Sequence, residues 1–492
     1  MKYNKNLFNL KKIKHLRRQD VILSAEQHVE SINKFVSQDK FQKYLSLFDE
    51  KIGIPNDVLS QYIKSIIAGR INYYNNSNAF PRTKLISMLK EIPKFFLFIF
   101  LIFIKRKKKI NSLNQVKYDL MIDKVYDNND LLRFERLISL YNEQNVVVIK
   151  HSNNNIQFKN VKVSTNTPLK NYDIKVIDLY KIFTIFFHSI KYSFIISENL
   201  ISYTLSILNT YYFYRSIFSE TVATNCIIFQ HYHTDAIKNY LFKTYGGLNS
   251  CAIQKNIPKL GRSSFYYDAD IFFSYSLIFS NQFLKCGSRF KKNIPVGSLF
   301  YNNYLNNKKH NILKTKYDIV LIGGNGFFKN GPEDIYHNQM CDYIRHLIWF
   351  KELSLEYKNL SFAFCPHQNF TLENSIEFKY LKEGKINFTY ENVYSLCLNS
   401  KINLAWCSSV IVEIKKDNVN SYFLDPHKKN RQFLDDSPIW NDYRISNYQE
   451  LRLLVKKVAI NKKNVDIGTN LVNHTIESSQ VSELIYRTLN KK

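Results

Sequence analysis

The sequence predicts an α/β protein in which two doubly wound, parallel-sheet domains follow a basic, mostly helical N-terminal extension. Three observations predict it. Apolar strand-like runs alternate with helical stretches from Tyr118 to Pro426, the rhythm of successive βαβ units. The 492 residues suffice for two or three domains, each with its own core. Glycines, a histidine and paired serines in the second half follow strand-like runs, at the edge where open α/β sheets place their ligands. The expected boundaries are 1–116 for the extension, 117–302 and 303–448 for the two Rossmann-like domains, and 449–492 for C-terminal helices. Two such domains facing one another would leave a cleft between the C-terminal ends of their strands.

The extension holds the most apolar run of the chain, FFLFIFLIFI from Phe95 to Ile104, followed at once by KRKKK. As a helix these ten residues reach ~15 Å at ~1.5 Å per residue, half of a ~30 Å hydrocarbon core. A spanning helix is therefore not expected. A core element is one reading. A shallow membrane-associating segment over 93–110, opening near Pro93, is the other, because cations beside an anionic leaflet contribute ~1 kcal/mol each. The N-terminus is basic without a signal-peptide core. Seven scattered cysteines form no CxxC pair or metal spacing, and this reads as reduced, cytoplasmic thiols. A net charge of +28 favours polyanions. Asn, Lys, Ile, Tyr and Phe are all abundant, however, so compositional drift accounts for part of that excess. No helix-turn-helix, zinc-finger or aromatic RNA-binding signature accompanies it, and no nucleic-acid partner is expected.

In the first domain, YDLMID reads as a strand, and Asp130 as the cap of one helix, DLLRFERLISLYNEQ. NVVVIKH follows as a buried strand. A long amphipathic stretch from Leu179 to Phe218 leads to the strand CIIFQ and the loop HYHTD. SCAIQ, DADIFFSYS and IPVGS complete the series. Asp235, His231 and His233 lie just past a strand end and are candidate general bases, with Asp123, beyond the first strand, behind them. Helix capping by Thr234 or Asp235 is the structural alternative.

In the second domain, YDIVLIGG runs into GGNGFFKNG, and Gly324, Asn325 and Gly326 are candidates to cradle a phosphate. The turn is neither GxGxxG nor a P-loop; glycines placed for positive φ are the alternative. His367 follows the strand SFAFC. AWCSSVIVE places Ser408 and Ser409 between a strand and an expected helix, with Glu413 in its first turn. Hydroxyls beside free N–H groups form an anion site, and Glu413 is placed to accept from a sugar or ribose hydroxyl. Ser as N-cap and Glu as dipole partner would equally explain the pattern. INFT, INLAW and SYFLDP supply further strands.

Taken together, this ordering resembles the nucleotide-donor domain of GT-B glycosyltransferases, closest to the bacterial enzymes that use CMP-activated sugars, the sialyltransferase and Kdo-transferase groups. Those carry a His-Pro motif and a Ser-Ser or Ser-Thr motif with a following Glu. Here the first reads Pro366-His367-Gln368, with proline before histidine. Teichoic-acid glycerophosphotransferases share a similar Ser-Ser arrangement. In the first half, DADIFFSYSLIF and IPVGS match the family's Asp-containing strand and closing Val-Gly-Ser, whereas QKN replaces its usual histidine and glycine.

The resemblance implies transfer of a sugar from a nucleotide-activated donor to a lipid-linked or surface-glycan acceptor at the cytoplasmic membrane face, in cell-envelope polysaccharide assembly. His367, Ser408, Ser409 and the glycine-turn amides would stabilise the departing phosphate. No metal and no resident cofactor are expected; the nucleotide-sugar is a co-substrate. The expected partners are that donor, a glycan or glycolipid acceptor and an anionic membrane surface. Polyol-phosphate transfer is the neighbouring alternative, and a basic nucleic-acid-binding or non-catalytic protein of the same fold is the distant one.

Overall fold

The computed structural model describes residues 29–74, 85–104, 116–151, 154, 156–158, 161–164, 176–229, 235–255, 266–285, 287–307, 316–324, 333–367, 375–406, 408–415, 419–426, 443–460 and 478–491. The chain divides into two compact units, each built on one sheet. One comprises Ala25–Lys255, Arg262–Ile294 and Ser482–Lys492; the other contains Pro295–Val481.

The first unit carries β1 (Val116–Val125), β2 (Val146–Lys150), β3 (Lys162–Ser164), β4 (Thr221–Ile228), β5 (Asn249–Ile253), β6 (Asp268–Ser274) and β7 (Arg289–Pro295). Their order is β3-β2-β1-β4-β5-β6-β7, with parallel ladders from β3 through to β6. The inner strands are buried runs such as Val146–Ile149 and Cys226–Ile228, as expected of strands covered on both faces. The order reverses between β1 and β4, and that switch point is where a crevice opens beyond the strand ends.

Helices of this unit include α1 (Asp39–Ile52), α2 (Asn56–Tyr74), α3 (Leu85–Ile104), α4 (Val176–Ile196), α5 (Leu200–Phe218) and α6 (Ala236–Thr244). The described helices of the expected extension, α1 to α3, lie within this unit. Tyr44 of α1 bonds Thr204 of α5 at 2.8 Å, and Tyr62 of α2 bonds Thr210 at 2.7 Å. Both tyrosines are buried, so α1 and α2 complete the core around α5. Ser197, at φ +62°, breaks the expected 179–218 stretch into α4 and α5. The single helix expected after β1 is instead two short pieces, Asn128–Leu132 and Glu135–Ser139. Asp127, not Asp130, caps the first, accepting from Asp130 N at 2.9 Å.

The second unit repeats the plan with β8 (Tyr317–Ile322), β9 (Phe362–Cys365), β10 (Ile386–Phe388), β11 (Ser400–Ala405), β12 (Ser421–Leu424) and β13 (Arg444–Ile445). The order is β10-β9-β8-β11-β12-β13, every ladder parallel. Its core gathers Leu321, Phe350, Phe364, Leu404 and Leu451 around the sheet. The switch point lies between β8 and β11.

The final helix, α7 (Val481–Leu489), packs back on the first unit. Arg136 Nε donates to Glu483 at 2.7 Å, and the Tyr141 and Tyr486 rings meet edge-on at 4.8 Å. Ile485 is fully buried. Ile485→Ala is expected to destabilise the protein by ~2–5 kcal/mol, measured by urea denaturation; an unchanged midpoint would show that α7 adds nothing to the core.

Candidate functional site

At the switch point of the first sheet, β1 ends in an irregularity. Its register against β2 shifts between Ile122 and Val125, and Lys124 adopts φ +59°. A bulge of this kind re-aims a side chain. It turns Asp123 inward, where only 3% of the residue is exposed. Asp123 lies within β1 rather than beyond it, which corrects its expected place.

Four donors converge on that carboxylate. Lys124 N donates to Oδ1 at 2.8 Å, and His151 Nε2 meets the same oxygen at 2.9 Å. Tyr214 OH donates to Oδ2 at 3.1 Å, and Lys238 Nζ lies 3.4 Å from it. Burial acts to raise the Asp123 pKa. Lys238, His151 and Lys124 outweigh it and hold the carboxyl well below the usual range. Burial likewise acts against the charge of Lys238, but Cys226, Asp123 and Asp235 raise its pKa overall. Tyr214 is pushed well up by burial and by the Asp123 charge. Asp123 is therefore held as an anion, bonded to each of these neighbours.

His151 follows β2, and its backbone N–H donates to Val125 O at 2.8 Å. Its ring rests edge-on against Phe213, 5.5 Å between centroids. With Nε2–H donating to Asp123, Nδ1 carries the lone pair. This is the geometry of a general base with an orienting carboxylate behind it. Sequence reading passed over His151. The available signal was that it follows β2 at the same edge at which Asp123 closes β1.

Asp235 is the N-cap of α6, accepting from Lys238 N at 3.1 Å. Burial raises its pKa. The capping alternative is thus the observed arrangement, and α6 serves to bring Lys238 to Asp123. His231 and His233 lie outside the described residues.

At the second switch point, Gly323 and Gly324 follow β8. A side chain at Gly323 would stand 3.0 Å from the Phe364 ring and 3.1 Å from Cys365 O and Pro366 Cα. One at Gly324 would stand 3.1 Å from the Tyr343 ring. Close packing, not positive φ, requires these glycines. Gly324 N donates to Tyr343 OH at 3.4 Å, and Tyr343 OH donates to the buried Glu377. Asn325 and Gly326 lie outside the described residues.

His367 sits two residues past β9 and is half-buried. Ser408 and Ser409 follow β11 and are half-buried too. The helix after them is one turn, Val410–Glu413, and the Ser409 side chain makes no cap bond. The helix expected after Ser409 is this single turn among the described residues, too short for a macrodipole to contribute much. Glu413 is buried, and its Oε2 accepts from Tyr394 at 2.6 Å and from Ser298. Among the described residues its Oε1 has no hydrogen-bond partner.

No protein-family model matches the sequence, and no curated protein matches it significantly. Some solved structures are similar to it at low sequence identity. MnaA of S. aureus in complex with UDP is 12% identical, covering 76% of this chain and 96% of that one, with a TM-score of 0.43. A UDP-GlcNAc 2-epimerase from Neisseria meningitidis bound to UDP-GlcNAc is 11% identical, covering 77% and 100%, with a TM-score of 0.43. A variant of the wall teichoic acid polymerase TagF is 10% identical, covering 82% and 97%, with a TM-score of 0.42.

Removing one partner of a buried pair leaves the other charge uncompensated. Asp123→Ala is expected to lower stability by ~3–5 kcal/mol in urea denaturation, and adding Lys238→Met should recover part of the loss. If the double variant is no more stable than Asp123→Ala alone, the two side chains do not form the pair described.

Proposed function

We propose that the chain is a GT-B glycosyltransferase that moves a sugar from a nucleotide-activated donor, CMP-sugars favoured, to a lipid-linked or surface-glycan acceptor at the cytoplasmic face of the membrane. The observation that carries this reading is His151, held by the buried Asp123 at the switch point of one Rossmann-ordered sheet. Its Nδ1 takes the proton of the acceptor hydroxyl as that oxygen attacks the anomeric carbon. The bond from that carbon to the donor phosphate breaks, and the nucleotide leaves with the electron pair. Asp123 stabilises the imidazolium that forms.

The donor half rests on the second sheet. Gly323 and Gly324 let the turn after β8 pack closely on Phe364 and Tyr343, with their amides engaged by Cys365 O and Tyr343 OH. His367 follows β9, and Ser408 and Ser409 follow β11, the strands on either side of β8, in the order that resembles the family's phosphate-binding motifs. Donors aimed at a developing phosphate charge stabilise the transition state by ~2.7–4 kcal/mol each. Glu413, with Oε2 already engaged, has Oε1 for a ribose or sugar hydroxyl. The reaction as drawn uses protein groups alone, and the nucleotide-sugar is a substrate.

The test is a donor panel of CMP-sugars, UDP-sugars and CDP-polyols against a lipid-extract acceptor, with donor binding read separately by thermal shift. His151→Ala is expected to cut transfer by ~10²–10⁴-fold with donor binding kept. Ser409→Ala is expected to lose ~10²–10³-fold. Full transfer by His151→Ala would remove the base from the scheme. Turnover of CDP-polyols in place of sugars would replace glycosyl transfer by polyol-phosphate transfer.

A further inference from the structure

Helices α3 and α4 are apolar on two opposite faces. On α3, Phe95 and Ile102 are buried, and Phe95 stacks on Phe186 of α4 at 3.6 Å. On α4, Ile182, Ile185 and Phe186 are buried. Asp178 fixes this helix to the unit by pairing with Arg215 of α5 at 3.2 Å. The outward faces would ordinarily be polar. Instead Phe96, Leu97, Phe100 and Ile104 of α3, with Phe187 and Phe194 of α4, are 54–62% exposed.

The two helices meet at one ring. Phe96 of α3 and Phe187 of α4 both pack on the buried Phe186, with centroids at 6.5 and 5.8 Å, so the exposed apolar residues of each helix flank a shared seam. Exposed apolar residues in such number mark a docking surface.

Its charge surroundings select the occupant. Lys90, Lys94 and Lys191 are exposed on the same two helices, and the sequence continues directly from Ile104 as KRKKK. A second copy of this chain would bring a second set of like charges to the contact. An anionic lipid leaflet offers apolar depth and opposite charge together.

We propose that α3 and α4 form one monotopic membrane-docking platform that seats its outward aromatic face among anionic lipid headgroups. Neither helix crosses the bilayer, because the inner face of each is held in the protein core. α4 is long and apolar enough to cross by composition, yet its Ser189 and Thr204 of α5 share a buried hydrogen bond at 2.5 Å. The sequence run at Phe95 supplies only half of the platform; α4 supplies the rest. Nothing in this inference depends on the transferase reading, since lipid binding is read without donor or acceptor.

The full-length protein is floated with vesicles of phosphatidylcholine alone and of phosphatidylcholine with phosphatidylglycerol. Flotation is expected with the anionic vesicles, weakened by salt, and not with the neutral ones. Phe100→Ser on α3 and Phe194→Ser on α4 should each reduce the bound fraction several-fold, with circular dichroism and Tm as in the parent. Phe100→Trp should give lipid-dependent emission quenched by brominated acyl chains. Equal binding to both vesicle types, or binding indifferent to Phe194→Ser, would overturn the two-helix platform. So would a lipid-free dimer, seen by sedimentation, that these serine substitutions dissolve.

Discussion

The first unit is organised around one buried carboxylate. Asp123 is anionic in the interior, and an unpaired charge there is penalised by several kcal/mol. The fold must therefore deliver donors to it from every side. The β1 bulge presents the Lys124 amide, β2 ends at His151, α5 places Tyr214, and α6 places Lys238. Each of these elements is thereby fixed relative to the strand end. Because the folded pKa is depressed, the stabilisation is complete above the ordinary carboxylate value of ~3.9. It is lost only as the pH falls through the lower folded value. The anion behind His151 thus persists through neutral and moderately acidic conditions.

The two sheets share a strand order but equip their switch points differently. The first concentrates full charges, a carboxylate and a lysine, beneath one imidazole. The second has hydroxyls and a histidine after its strand ends, beside two glycines packed against Phe364 and Tyr343 whose amides donate to Cys365 O and Tyr343 OH. Proton removal needs a tuned acid–base pair. Binding a phosphate needs fixed dipoles and open backbone. Under the proposed reaction, the first sheet would supply proton removal and the second would supply phosphate binding.

The central strands were legible because parallel strands covered on both faces read as continuous runs of Val, Ile and Leu. β3 and β13, of three and two residues, carry no such run. The glycine turn, His367 and the paired serines were found because each directly follows a legible strand. His151 follows one too, but no motif marks it. Its partner lies 28 positions earlier, and only the lateral pairing of β1 with β2 brings them together. Asp235 is ambiguous for a related reason. One carboxylate reads equally as base or cap in the sequence, and its bond from Lys238 N shows the cap.

A core selected for stability alone has little use for the arrangement around Asp123. Well-packed apolar side chains of similar volume often equal or exceed a buried ion pair in stability. The pair also strains the backbone at Lys124, at positive φ without being glycine. Such features are common where a sheet edge binds and transforms a ligand. Here they sit at the switch point and bear directly on the one imidazole among them. A locked anion on Nε2 sets which nitrogen of His151 carries the proton and holds the ring in place. That is the orientation the proposed base would need.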